Sequence, residues 1–66
     1  MSKSGIELVT EVILESIKTG YEVDCQLYTD NCGNIIRTFF LENGESVTLN
    51  KDEFEKVYEK VLERSM

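Results

Sequence analysis

Carboxylates are the most numerous side chains in this sequence that could carry out chemistry. The chain of 66 residues holds 13 Asp and Glu, 7 Lys and Arg, and no histidine. Paired carboxylates can act as general acid and base, but that role requires a pocket that shifts their pKa values. A domain of this length buries only about 60% of the surface of its unfolded chain, which leaves little room for such a pocket. We therefore expect a protein that is not an enzyme and has no catalytic residues.

The two cysteines, Cys25 and Cys32, are the other candidates for chemistry. Two cysteines without histidine do not complete a tetrahedral zinc site, so we expect no metal and no cofactor. Cys25 falls in an alternating strand pattern and is predicted to be a small core residue. Cys32 falls in a turn, and a reactive exposed thiol at that position is an alternative source of function. An extended strand between them would hold the pair too far apart for a disulfide.

The net charge of −6 is concentrated in the middle of the chain. Residues 21–49 carry five acids and one base, whereas residues 1–20 carry three acids and two bases and residues 50–66 carry five acids and four bases. Negative charge repels a phosphate backbone, which argues against direct nucleic-acid binding. There is no apolar run long enough for a signal peptide or a membrane span. These features predict a single cytoplasmic domain over residues 1–66 whose partner is a protein.

Residues 21–49 are predicted to form three antiparallel strands. The central signal is Asn43-Gly44, the dipeptide best suited to a two-residue type I′ hairpin turn, because both turn positions take positive φ. That turn places Val47 opposite Phe40. Since strand side chains alternate, it also defines a buried face and an open face. The buried face is expected to hold Ile36, Thr38, Phe40, Val47 and Leu49, and the open face Ile35, Arg37, Phe39, Leu41, Ser46 and Thr48.

The first hairpin predicts the same orientation of the central strand. Apolar and polar residues alternate over residues 21–27, which is typical of a strand with one solvated face. A four-residue loop at residues 30–33 would pair Thr29 with Asn34. Both turns then send the same residues of the central strand inward, and this agreement supports the register.

Helices are predicted on both sides of the strands. Ser4 and Gly20 are placed to cap a helix whose apolar stripe faces the sheet and ends at Ile17. Asn50 can cap a second helix, whose apolar stripe begins at Phe54. Two helices joined to one short sheet usually stack on the same face. The predicted fold is α+β, a two-layer α-β-β-β-α sandwich in which two helices cover one face of a three-stranded antiparallel meander.

The open face is the candidate contact surface. An apolar strip bordered by acids is expected there, and exposed patches of that kind mark interaction sites. Carboxylates spaced along the sheet and its turns would imitate nucleic-acid phosphates and attract a basic protein groove. Arg37 is expected to form a surface ion pair beside them. The predicted partner-binding residues are Glu22, Asp24, Tyr28, Asp30, Ile35, Arg37, Phe39, Leu41, Glu42 and Glu45.

Two interpretations of this surface are open. In the first, the protein is an acidic inhibitor or adaptor that occludes the basic groove of a larger protein, such as an enzyme acting on nucleic acid. In the second, it is a structural or regulatory homodimer that buries Ile35, Phe39 and Leu41 against a second copy.

The layout of the chain resembles that of small acidic phage-encoded inhibitors, in particular some anti-CRISPR proteins. The resemblance covers the whole chain as an order of elements, with local pieces at residues 18–23 (KTGYEV) and 43–47 (NGESV). It implies a partner that handles nucleic acid and a mechanism of steric and electrostatic occlusion of the DNA-binding groove. No individual functional residue is carried over from that family.

Overall fold

The computed structural model describes residues 3–65, which form two helices and three strands. Helix α1 spans Gly5–Thr19 and helix α2 spans Lys51–Ser65. Between them lie β1 (Asp24–Thr29), β2 (Ile35–Phe40) and β3 (Ser46–Leu49), which form one antiparallel sheet in the order β1-β2-β3. The predicted α+β fold is confirmed. Within residues 3–65, no helix is long and apolar enough to cross a membrane.

Capping groups define the ends of both helices. Ser4 Oγ accepts the backbone N–H of Glu7 at 3.2 Å, and Gly20 ends α1 with a φ of 83°. Helix α2 begins with a reciprocal capping box. In this box Asn50 Oδ1 accepts the N–H of Glu53 at 2.8 Å, and Glu53 Oε1 accepts the N–H of Asn50 at 3.0 Å. The predicted capping roles of Ser4, Gly20 and Asn50 are confirmed.

Both hairpins are closed by the same kind of loop. In each, a glycine N–H donates to the carbonyl three residues earlier, from Gly33 to Asp30 at 3.1 Å and from Gly44 to Leu41 at 3.1 Å. Both glycines have positive φ, whereas no other residue type does within the described part of the chain. This geometry is a type I turn followed by a left-handed glycine, a three-residue loop with a bulge. The two-residue type I′ turn and the four-residue loop predicted for these hairpins are therefore wrong.

These loops shift both strand registers by one residue and turn β2 over. Phe39 lies opposite Cys25 of β1 and opposite Val47 of β3. Phe39 is only 4% exposed, whereas Phe40 is 43% exposed. Because neighbouring residues of a strand face opposite sides, one reversed residue reverses the whole strand. The prediction that Phe40 lies in the core and Phe39 on the open face is wrong.

Three other residues predicted on the open face, like Phe39, lie on the helical side of the sheet. Arg37 shares its side of the strand, and the Arg37 guanidinium carbon lies 4.0 Å from the ring centroid of Phe54 in α2. Ile35 also lies on this side by alternation and is 39% exposed. Leu41 is half-buried and lines a groove beside α1. None of the three belongs to the open face. Instead of the predicted ion pair, Arg37 makes a cation–π contact with Phe54 on the helical side of the sheet.

The core lies between the helices and strands β2 and β3. The Phe39 and Phe54 rings stack with their centroids 6.0 Å apart. All six residues of β1 are exposed, because the helices lie over β2 and β3 instead. Cys25, predicted as a core residue, is exposed for this reason, and Ile17 at the end of the α1 stripe is 61% exposed. The buried apolar residues are Val9, Phe39, Leu49 and Val57.

Ion pairs tie the helices to each other. Glu7 Oε1 of α1 accepts from Lys60 Nζ at 3.0 Å and from Arg64 Nη2 at 3.3 Å. The hydrogen bond from Lys60 lowers the pKa of Glu7, and the Arg64 charge acts in the same direction. These partly exposed pairs add little stability, but they engage two of the cations of α2.

Replacing Phe39 by alanine should lower the free energy of unfolding by about 3–5 kcal/mol, because it opens a cavity beneath Phe54. Phe40→Ala removes the same atoms from an exposed site and should cost about 1 kcal/mol or less. Urea unfolding followed by circular dichroism measures both. If Phe39→Ala is unfolded in buffer, Phe39→Leu is the milder substitute. Equal losses for the two positions would contradict this orientation of β2.

Candidate functional site

The side of the sheet turned away from the helices forms a continuous surface, called here the open face. The strand pairing arranges it in three rows, the first containing Asp24 and Phe40, the second Gln26 and Thr38, and the third Tyr28 with Ile36. Asp24 and Tyr28 lie on this face as predicted. The open face consists of Asp24, Gln26, Tyr28, Ile36, Thr38, Phe40, Ser46 and Thr48.

The open face combines apolar groups at both ends with hydroxyl groups across its centre. Tyr28 Oη lies 3.4 Å from Thr38 Oγ1, which in turn lies 3.1 Å from Thr48 Oγ1. The Phe40 ring is exposed on one side of this hydroxyl row, and the Tyr28 ring is exposed on the other. Large aromatic groups flanking satisfied polar groups are typical of protein contact surfaces.

A groove of about 400 Å³ opens at the end of the sheet where β1 begins and β2 ends. The C-terminal half of α1 forms its other wall. Val12, Val23 and Leu41 supply apolar lining, and carboxylates surround them. We call this feature the acidic groove, and its four carboxylate residues are Glu15, Glu22, Asp24 and Glu42.

No Lys or Arg lines the acidic groove among residues 3–65. The ion pairs of the described chain instead lie in the helical layer, where Lys60 and Arg64 bind Glu7 and where Lys3 binds Glu11. None of these ion pairs involves a carboxylate of the acidic groove, although Lys18 lies in the last turn of α1 next to the groove wall. The C-terminal end of α1, close to the groove, adds the negative end of a helix dipole.

Two further predicted acids occupy the hairpin loops and differ in role. Glu45 is exposed in the second loop, where its carbonyl accepts the N–H of Leu41 at 2.8 Å. Asp30 lies in the first loop, at the end of β1 opposite to the acidic groove. Its Oδ1 accepts the N–H of Cys32 at 2.8 Å and the N–H of Asn34 at 2.9 Å. Asp30 thus shapes its own loop, and the N–H of Asn34 lowers the pKa of the Asp30 carboxyl.

Three of the predicted acids, Glu22, Asp24 and Glu42, meet at the acidic groove. Phe39 is buried beneath α2, so a homodimer built on its side chain lacks the central contact. Sequence reasoning missed Ile36 and Phe40 on the open face, and Glu15 at the groove. The glycine at the end of each loop was the available signal for Ile36 and Phe40, because such a glycine also fits a three-residue loop.

The cysteines form no bridge and no metal cluster. Cys25 and Cys32 are both free and exposed. Partial burial raises the pKa of the Cys25 thiol, which the Arg37 charge partly offsets. Over residues 3–65, no three His, Cys, Asp or Glu side chains are grouped so that they could hold a metal ion.

Acidification should test the structural role of Asp30. Because its folded pKa is depressed, its stabilising effect is complete above the ordinary Asp pKa and is lost as the pH falls through the folded value. Asp30→Asn keeps an acceptor for the loop but removes this titration. We expect the urea midpoint of the wild type to fall more between pH 7 and pH 3 than that of Asp30→Asn. An equal fall in the urea midpoint of both proteins would contradict this structural role of the Asp30 carboxylate.

Comparison with known protein families, with characterised proteins and with solved structures found no match for this chain.

Proposed function

We propose that this protein is an acidic binding module that inhibits a larger protein by occluding a basic groove through which that protein contacts nucleic acid. The observation that carries the proposal is the position of the acidic groove at one end of an open sheet face with exposed aromatic residues. The resemblance in layout to small phage-encoded inhibitors points to the same class of partner.

The aromatic groups would supply most of the binding energy. A few buried aromatic or arginine side chains usually dominate an interface, while the surrounding contacts exclude water. Phe40 and Tyr28 are the largest exposed side chains of the open face and are held on a rigid sheet. Since Phe40 also lines the acidic groove, it joins the apolar contact to the charged one.

The shape of the protein suggests a concave partner. Three strands of up to six residues present a flat area of only about 300 Å², by strand spacing and rise. A stable interface usually buries about 800 Å² on each partner. A partner must therefore also contact the hairpin loops and the acidic groove around the sheet edge. A cleft satisfies this requirement better than a flat surface does.

The charge would select a basic cleft and speed its encounter. Rim carboxylates steer oppositely charged partners, and the effect weakens as salt screens it. Glu22, Asp24 and Glu42 line the same groove, and none of its lining residues among residues 3–65 is Lys or Arg. Nucleic acid would compete for the same cleft because its phosphates present the same sign of charge.

The test is capture from a cell lysate on the immobilised protein, with and without excess duplex DNA. We expect the captured proteins to be basic nucleic-acid-binding proteins that duplex DNA elutes. The triple variant Glu22→Gln, Asp24→Asn, Glu42→Gln should then bind the purified partner with an association rate about tenfold lower at low salt. Its rate should also depend less on salt concentration.

The matched control is the variant Glu55→Gln, Glu59→Gln, Glu63→Gln, which changes three exposed acids of α2 and therefore alters the net charge equally. This control should associate nearly as fast as the wild type. If both variants associated equally slowly, the effect would come from net charge and not from the acidic groove. If duplex DNA failed to elute the captured proteins, the occlusion mechanism would be contradicted.

A separate variant, Phe40→Ala, tests the aromatic contact. Truncating a central aromatic anchor should weaken binding of that purified partner by about 2 kcal/mol, or roughly thirtyfold in Kd. The change should appear mainly in the dissociation rate, which surface plasmon resonance resolves. Since Phe40 is exposed, the fold should persist, and circular dichroism checks this. An unchanged Kd would exclude the open face from the contact.

A further inference from the structure

The acidic groove combines apolar and aromatic lining with its carboxylates. Val12, Val23 and Leu41 supply aliphatic surface, and Tyr21 and Phe40 add two aromatic rings. Tyr21 is 76% exposed and Phe40 is 43% exposed, so a ligand can reach both side chains. The volume of about 400 Å³ lies near the lower end of the range for ligand pockets, roughly 300–1,000 Å³. The groove therefore has room for one long side chain of a partner.

The two hydroxyl side chains of the groove wall already donate their hydrogen atoms within α1. Ser16 Oγ donates to the carbonyl of Ile13 at 2.7 Å, and Thr19 Oγ1 donates to the carbonyl of Glu15 at 2.9 Å. A hydroxyl group has one hydrogen, so each oxygen can only accept from a ligand while these bonds hold. Ionised carboxylates are also acceptors only. Among the polar side chains that line the groove in the described chain, the Tyr21 hydroxyl alone has a hydrogen to donate.

This lining selects a ligand that carries hydrogen-bond donors and positive charge. A carboxylate or phosphate group would meet charge of its own sign there. Lysine and arginine side chains have donors and no acceptors, which matches the lining. The negative end of the α1 dipole favours the same cations. Lys18 lies in the last turn of α1 but does not line the groove. The groove therefore suits a cation supplied by another molecule.

The aromatic rings favour arginine over lysine as that cation. The guanidinium group is planar, presents its donors in a fixed fork and stacks on aromatic faces, whereas the lysine ammonium is a compact point charge. Its methylene stem can lie along apolar surface while the charged head stays near water. This chain already contains such a contact, because the Arg37 guanidinium carbon lies 4.0 Å from the Phe54 ring centroid.

We propose that the acidic groove receives an arginine side chain of the partner protein. Its guanidinium group donates to carboxylates of the groove and stacks on the Phe40 ring, and its methylene stem lies against Val23 and Leu41. The inference rests on the proposed function for the class of partner and adds the residue type that occupies the groove. Arginine is one of the residue types that most often dominate the binding energy of an interface.

The methylamide of Nα-acetyl-arginine is the probe, because it carries the side chain without charged termini. It is titrated into isotopically labelled protein at constant ionic strength, and backbone amide shifts are followed by NMR. We expect shifts concentrated at residues 15–24 and 40–42. The dissociation constant should be on the order of 1 mM, as a ligand of this size gives.

The matched control ligand is the citrulline analogue, which has nearly the same shape and no charge. It should bind at least about tenfold more weakly than the arginine probe. Shifts that spread over α2, shifts that are absent at about 50 mM arginine probe, or equal binding of the citrulline analogue would overturn the proposal.

The lysine counterpart, with a free side-chain amine, separates the two cations. It should bind about threefold more weakly than the arginine probe, because the ammonium group makes a poorer contact with the Phe40 ring. Phe40→Leu keeps an apolar side chain but removes the ring, and it should abolish this difference. Equal binding of the two probes to the wild type, or an arginine preference that survives Phe40→Leu, would overturn the stacked arginine.

Charge variants locate the probe. Glu22→Gln, Glu42→Gln should raise the dissociation constant of the arginine probe at least about threefold. The control Glu55→Gln, Glu59→Gln removes the same charge from exposed positions of α2 and should leave it nearly unchanged. Equal weakening by both variants would overturn the site. Because the probe requires no partner protein, its failure would overturn the arginine assignment alone, whereas capture from lysate decides the proposed function.

Discussion

The contact between Phe39 of β2 and Phe54 of α2 is the constraint on which the rest of the structure depends. Phe54 follows the capped start of α2, so this stack sets the position of the helix and the inward face of the strand together. The Arg37 guanidinium covers the Phe54 ring as well. Aromatic and cation–π geometry adds about 0.5–1.5 kcal/mol per pair beyond burial, which is small but directional. Turning β2 over would press the Thr38 hydroxyl into the apolar layer, at a cost of about 1–3 kcal/mol if unpaired.

The composition of the open face is a consequence of that buried contact. Strand residues alternate, so burying Phe39 forces Phe40 and Thr38 to the other side. There Thr38 finds hydroxyl partners on both neighbouring strands instead of facing the core. This orientation of β2 therefore places the stacked Phe39 ring in the core and the Phe40 side chain on the surface. A mutation that reversed β2 would exchange residues between the core and the open face.

Charge is divided between the two layers of the fold. In the helical layer Lys60 and Arg64 bind Glu7, so these charges are satisfied within the chain. At the end of the sheet Glu22, Asp24 and Glu42 line the groove together, and no Lys or Arg from residues 3–65 lines it. These carboxylates carry charge of one sign, which a cationic partner would offset. A basic partner of the kind proposed would therefore be attracted to the acidic groove.

The helices and strands, their order and their caps follow from local signals, because capping side chains and hydrophobic periodicity act within a few residues. The orientation of β2 does not, since its sequence IIRTFF is apolar on both faces and each loop accommodates two lengths. The first loop was predicted one residue too long and the second one residue too short, and each error turns β2 over, so the agreement between the two hairpins did not establish the register. Packing against α2 selects the orientation, because only Phe39 reaches Phe54 with Arg37 beside it. The groove also needs tertiary contacts, because Glu15 joins the sheet acids only when α1 lies beside the sheet end.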